Sequence, residues 1–383
     1  MQLEILVRGQ SNAVLFAEGE RYAALGRLKS EVERLLGFDG VADTVRVLYA
    51  RGEDARGTAH AGTAFLGDWM ERGADGAWSP LPKGLGLLRS AAEMRDPAAS
   101  ATAVLWLHSE FDSFRADLDV GEWTSAVRQD AALLRGALGG DAASVPYHFV
   151  SAHPFGAGTP QGHQAIRAGM EALSADPAFH ARIAARALDT DSSLDDLDGD
   201  WRTTDYGGPH LTQADSMLIA DRAARTIAED WSAYSRPGSP VWLAGGDIAD
   251  TGPRVAAAER TGPDTLRLTV AQDAAGGFAP LDADAARGFG WAVSGAGTAP
   301  VAARSAAVLG PDTIDLAFVG PLPEAGGVLH YGWGYGRLAD PNGPGRGNAI
   351  YDDTGLPIWT PVGGVPIGVP AALAASDDAL WLR

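Results

Sequence analysis

Met1-Gln-Leu-Glu-Ile-Leu-Val-Arg-Gly-Gln-Ser-Asn12 opens the chain, and its reading decides the fold. Leu3, Ile5 and Val7 alternate with polar positions, so residues 2 to 8 read as a short β-strand. Gly9 breaks it, and Ser11 is the first hydroxyl past the break. A serine at the point where a strand gives way to a turn stands at the sheet edge, where open α/β sheets bind ligands. Ser11 is therefore a candidate nucleophile. The bland reading is a helix-capping serine in a common Gly-x-Ser-x-Ala pattern.

Outward from this strand, the pattern continues as α/β. Residues 18 to 36 have helical spacing (Tyr22, Leu25, Leu28, Val32, Leu35), and residues 44 to 50 alternate as a second strand. Residues 51 to 82 read as a long loop carrying Trp69 and Trp78, of a length that is usually functional or flexible. Gly84-Leu-Gly86 opens a helix. Residues 101 to 107, Ala-Thr-Ala-Val-Leu-Trp-Leu, form the near-continuous apolar run of a strand buried on both faces of a parallel sheet. That strand ends in Trp106-Leu-His108-Ser109-Glu110-Phe-Asp112. An amphipathic helix over 119 to 138 and a strand over 145 to 151 follow, with His148 as a packed strand residue and His153 past the strand's end. The acidic run from Asp189 to Asp200 lacks the terminal Glu of an EF-hand loop and reads as solvated. Trp201-Arg-Thr-Thr-Asp205-Tyr-Gly-Gly-Pro-His210 then leads into a long helix over 211 to 231.

Three of these stretches resemble the conserved blocks of the SGNH hydrolases. Gly9-Gln10-Ser11-Asn12 is similar to the branch written GQSN, which holds the sialate O-acetylesterases and related carbohydrate acetylesterases. Trp106, Glu110 and Asp112 match that branch's Trp-x-Gln-Gly-Glu-x-Asp. His108 stands where its Gln lies and Ser109 where its Gly lies. A histidine before the domain's last helix is where the family keeps its base, with an acid three residues earlier. Here the nearest acid, Asp205, is five before His210, with Asp198 and Asp200 as the other acids in reach. The resemblance implies a flavodoxin-like three-layer α/β domain with a parallel sheet. It implies Ser11 as nucleophile, His210 as base and Asp205 as its partner. Gly84 or Gly86 and His108 would serve the oxyanion, with Gln10, Asn12 and Glu110 around the substrate or bracing the serine loop. The implied activity is removal of O-acetyl groups from a carbohydrate or polysaccharide, with no metal or organic cofactor. The alternative is a non-catalytic glycan-binding or structural protein, such as a component of a phage-like particle, keeping a degenerate site.

Composition narrows the classes. The chain has 383 residues, enough for two domains, and a formal charge of −19, which disfavours nucleic acid and anionic membranes as partners. It has no cysteine, so thiolate chemistry and disulfides are excluded. No apolar run reaches membrane-spanning length, and no signal peptide precedes the first strand. The expectation is a cytoplasmic or particle-associated protein, or one exported with its signal trimmed. Eleven tryptophans are many for this length, and some are expected on a sugar-binding face. Past Tyr234–Pro240 the chain reads as β, with strands over 255–261, 265–270, 290–293, 301–309, 313–318 and 328–335 between Gly-Pro turns. That rhythm predicts a β-sandwich. The expected domains are 1–235, catalytic, and 241–383, β-rich and suited to glycan binding or to homo-oligomer or particle assembly.

Overall fold

The computed structural model describes residues 1–18, 23–50, 63–108, 110–151, 158–190, 211–295, 298–334, 338 and 349–368. The first half runs β1 (Gln2–Gly9), α1 (Ser11–Glu18), α2 (Ala23–Leu36), β2 (Thr44–Tyr49), β3 (Met70–Arg72), β4 (Trp78–Pro80) and α3 (Pro82–Met94). It continues through β5 (Ala101–Leu107), α4 (Val120–Ala137), β6 (Tyr147–Ser151), α5 (Pro160–Ser174), β7 (Ala181–Arg186) and α6 (Gln213–Asp230).

Five strands form a parallel sheet in the order β2-β1-β5-β6-β7. The chain steps from β1 to β2 on one side, then crosses back to place β5 on the other. Pleating sorts the side chains of β1 between two cores. Leu3, Ile5 and Val7 pack with Leu28 and Val32 of α2 and Ile219 and Ile227 of α6. Leu6 packs with Leu87 of α3, Trp123 of α4 and Met170 of α5. Helices thus cover both faces, the arrangement a parallel sheet requires. The buried apolar run predicted over 101 to 107 is β5, residue for residue.

Two parts of this half differ from the sequence reading. The stretch before Gly84 is not all loop. β3 and β4 pair as a hairpin, and Trp69 is fully buried beneath α3. β7 has no counterpart in the sequence reading, because Arg182 and Arg186 interrupt its short Ala-rich run.

The second half holds α7 (Pro240–Leu243), β8 (Arg254–Gly262), β9 (Thr265–Ala271), α8 (Ala283–Ala286), β10 (Trp291–Gly295), β11 (Thr298–Gly310), β12 (Thr313–Phe318), β13 (Val328–Tyr331) and β14 (Val365–Gly368). These seven strands close into a barrel, β10-β11-β12-β9-β8-β14-β13, where a sandwich was expected. Register shifts in β8 and β11 bend those strands, and bulges of this kind raise local twist and coil. β14 then completes the ring, parallel to β8 and antiparallel to β13. Pro366, after two glycines, hid that strand from pattern reading.

The barrel is seated on α5 and α6. Arg225 donates to both the carbonyl and the hydroxyl of Thr354, each at 3.1 Å. Glu171 accepts from the Val362 N–H at 2.9 Å. Asp189, just past β7, takes a two-pronged ion pair from Arg222 and a 2.6 Å hydrogen bond from the Tyr351 hydroxyl. Burial pushes the Asp189 carboxyl up, and Arg222 overcomes this and holds it below its ordinary range.

Candidate active site

In a sheet of this order the chain's connections run in opposite directions from β1 and β5, and the crevice beyond the C-terminal ends of those two strands is where such folds bind ligands. Gly9 and Leu107 are register partners at that edge. Gln10-Ser11-Asn12 and His108 are therefore neighbours, about one strand spacing apart. Gly9 makes the close approach possible. A Cβ there would lie 1.9 Å from the Leu107 carbonyl oxygen, and its φ of 155° is one that side-chain-bearing residues rarely adopt.

Ser11 is the first residue of α1 and is half-buried. The Val14 N–H bonds back to the Gln10 carbonyl at 3.1 Å. The N–H groups of Ser11, Asn12 and Ala13 thus precede the first helical bond, and the positive end of the helix dipole lies at Ser11. Negative charge developing beside Ser11 is favoured by this geometry.

Asn12 is fully buried and ties the loops together. Its side-chain N–H donates to Glu110 Oε1. Its carbonyl oxygen accepts the Leu211 N–H at 2.9 Å. One amide thus joins the Ser11 turn to the loop after β5 and to the residue following His210. Gln10, also buried, accepts the Phe111 N–H at 3.3 Å. Glu110 is buried at the head of a single 3₁₀ turn, Phe111–Phe114, where its carbonyl accepts the Ser113 hydroxyl at 2.5 Å. Asp112 accepts the Leu66 N–H at 3.1 Å.

His108 is buried at the end of β5, and the Trp106 indole donates to its carbonyl at 3.0 Å. Its imidazole meets Trp69 edge-on at 4.4 Å, with Phe65 at 5.8 Å and Trp106 at 5.6 Å. Gly84 and Gly86 are buried in the first turns of α3. A Cβ on Gly84 would come within 2.4 Å of the Trp69 carbonyl oxygen, so packing alone demands glycine there. The Leu85 N–H already bonds to Leu81, which leaves Gly84 as the last N–H before the helical ladder starts. Gly86 lies within the ladder.

His210, Asp205, Ser109, Asp198, Asp200 and His153 lie outside the described residues. Sequence reasoning missed the support beneath the site. Arg8 is buried on the α3–α4 side and paired with Asp130 of α4 at 2.5 and 3.2 Å. Its guanidinium lies 5.4 Å from the Trp69 ring and 5.5 Å from that of Trp106. Burial works to lower its pKa, yet Asp130 holds it above the ordinary arginine value. A signal existed: Asp130 falls on the buried stripe Trp123, Ala126, Val127, Ala131, Leu134, and an acid on such a stripe requires a buried cation.

No family model matches the chain, and no curated protein matches it by sequence. Among solved structures, it is similar to a carbohydrate acetylesterase from Xanthomonas citri. The TM-score is 0.55 at 13% identity, over 93% of this chain and 79% of that one. At that identity the likeness is one of fold. Two structures of the bacterial S-layer protein SbsC also align, with TM-scores of 0.23 and 0.21, identities of 13% and 12%, and coverage of 39% and 41% of this chain and 19% and 41% of theirs. Those scores carry no structural argument.

Proposed function

We propose that the chain is a serine esterase of SGNH type, GQSN branch, that removes O-acetyl groups from a carbohydrate, with residues 1–235 as its catalytic domain. The observation that carries this reading is the pair of hydrogen bonds of the Asn12 side chain, one to Glu110 and one from the Leu211 N–H, which ties the Ser11 turn, the loop after β5 and the residue following His210 together at one edge of the sheet. The fold shared with a carbohydrate acetylesterase supports it.

In this reading His210, oriented by Asp205, takes the proton of the Ser11 hydroxyl as its oxygen attacks the acyl carbonyl. The tetrahedral intermediate collapses, the sugar hydroxyl leaves with the proton from His210, and water clears the acyl-enzyme by the reverse sequence. The Ser11 N–H at the head of α1 is the first oxyanion donor. Gly84, with its N–H outside the helical ladder, is favoured over Gly86 as the second. His108 is the third, its ring fixed by Trp69. Gln10, Asn12 and Glu110 hold the loops.

The test is acetate release from p-nitrophenyl acetate by wild type, Ser11→Ala and His210→Ala. Turnover by wild type and its loss in both variants is the expected result. Equal inertness of all three would sink the esterase reading.

A further inference from the structure

Most of the described tryptophans are core residues. Trp69, Trp106, Trp123 and Trp291 are fully buried, whereas Trp333 is 38% exposed. Trp333 sits in the turn leaving β13, framed by Gly332 and Gly334, both at positive φ. Its ring rests on His330, 4.4 Å between centroids, and His330 is in turn hydrogen-bonded to Ser294 at 3.0 Å. The ring is thus backed on one side and open on another.

The turn is held against the α/β half. Arg167 of α5 donates to the Gly334 carbonyl at 2.8 Å. A Cβ on Gly334 would lie 3.3 Å from Pro160, the first residue of α5. The preceding residue, Thr159, donates from both its N–H and its hydroxyl to the Ser113 carbonyl, each at 2.8 Å. Next to Ser113 is Phe114, 47% exposed, with its ring 5.4 Å from that of Phe111. Phe111 is the residue whose N–H bonds to Gln10, one position before Ser11. A continuous line of contacts therefore runs from the barrel's exposed tryptophan to the candidate nucleophile.

We propose that Trp333 and Phe114 form an aromatic platform for further sugar rings, so that the substrate is an acetylated oligo- or polysaccharide chain bound across both halves of the molecule. This rests on the esterase reading above and specifies its substrate. The chemistry favours a sugar. Trp333 and Phe114 come from different elements, the turn after β13 and the 3₁₀ turn after β5, and each is only partly exposed, which is less than the large contiguous apolar patch that marks a protein partner's site. They suit a ligand that alternates apolar ring faces with hydroxyl rims, each face stacking on an aromatic ring. The charge of −19 selects a neutral chain over an anionic one. Arg167 is the positioning residue that holds the platform in line.

The experiment compares p-nitrophenyl acetate, acetylated glucose, xylose and mannose, and chemically acetylated hexasaccharides of β-1,4-glucan, β-1,4-xylan and β-1,4-mannan. Wild type is expected to show, for at least one sugar, a KM about tenfold lower on the hexasaccharide than on the monosaccharide. Trp333→Ala should erase most of that difference while leaving p-nitrophenyl acetate turnover and melting temperature unchanged. Trp333→Phe should restore part of it, and Phe114→Ala should lose part. No chain-length preference on any of the three, or a preference that survives both alanine variants, overturns the platform. If wild type is inert on every ester, the esterase reading falls by itself. Tryptophan fluorescence titration with the same hexasaccharides then decides the platform separately. Saturable quenching in wild type that is absent in Trp333→Ala keeps it, and no quenching ends it.

Discussion

The two edges of the parallel sheet offer opposite environments. At the N-terminal edge lies a cleft of about 560 Å³, lined by Ala101, Pro146, Arg182, Asp230 and Tyr234 among others. It is rich in charge. Arg182 contacts Glu229, Asp230 and Asp250 at 2.7 to 2.9 Å, and His148 bonds to Asp230 at 2.8 Å. At the C-terminal edge the loops are knitted by the amides Gln10 and Asn12 and by the single carboxylates Glu110 and Asp112, and Ser11 is only half-buried. Backbone direction separates the two. α1 begins at the C-terminal edge and turns its positive end to Ser11, whereas α6 ends at the other and turns its negative end to the cleft, beside two acids. An oxyanion is stabilised at the first edge and repelled at the second. This cleft therefore lies at the opposite end of the sheet from Ser11.

The largest expected effect breaks this comparison outright if it fails. Ser11→Ala should lower acetate release from p-nitrophenyl acetate by about 10⁴-fold or more, and Asp230→Asn should change it by less than about threefold. Parallel losses in two folded variants would show that both edges take part, and an active Ser11→Ala beside an inactive Asp230→Asn would mean that the edges had been assigned the wrong way round.

A second experiment asks what holds the C-terminal edge in place. Asp130→Ala leaves Arg8 buried between Trp69 and Trp106 without its carboxylate. That should cost about 3–5 kcal/mol of unfolding free energy, measured by urea denaturation. A loss below about 1 kcal/mol would show that water or another group replaces Asp130, and that the pair is no brace. Asn12→Ala is expected to cost somewhat less. It strips Glu110 and the Leu211 N–H of one buried partner, worth about 1–3 kcal/mol for each group. The rate on p-nitrophenyl acetate should fall more than tenfold in protein that is still folded. Retention of full activity would show that the bridge is not what aligns the three loops.

Much of this edge could be read in the sequence because its signals are local. The strand-glycine-serine order at Gly9 to Ser11, and the apolar run into His108, depend on a few adjacent residues. What stayed hidden depends on distant partners. Arg8 looks like the polar end of a strand until Asp130 is placed above it. β7 looks like a broken run until its arginines find theirs, Arg182 on α6 and Arg186 over the Trp359 ring at 3.4 Å. The barrel has the same cause: short strands predict β structure, but closure depends on β14 pairing across about a hundred residues with β8. The candidate base, His210, is proposed from its motif alone, and of its surroundings the structure describes the residue that follows it, Leu211, held by Asn12.

The smallest effect sharpens the contrast from the charged edge. Asp250 sits beside Arg182, but burial comes first, and Glu229 and Asp273 add to it, so its carboxyl is pushed up to about 7. In the unfolded chain it titrates near 4. Between those values the native protein holds a proton that the unfolded chain has released. The stabilisation from this group is therefore complete below about pH 4 and is lost as pH rises through 7. Asparagine does not titrate, so wild type should lose stability relative to Asp250→Asn as pH goes from 5 to 8, by at most a few kcal/mol. Asp230 works the other way: burial pushes its carboxyl up, but His148 and Arg182 more than offset this and hold it low. Its contribution is lost only as the solution is acidified, which keeps it out of the pH 5 to 8 window. Melting temperatures of both proteins across that window make the test. A difference that stays flat would mean that Arg182 keeps Asp250 ionised, and that the charged edge is an ordinary ion-pair network.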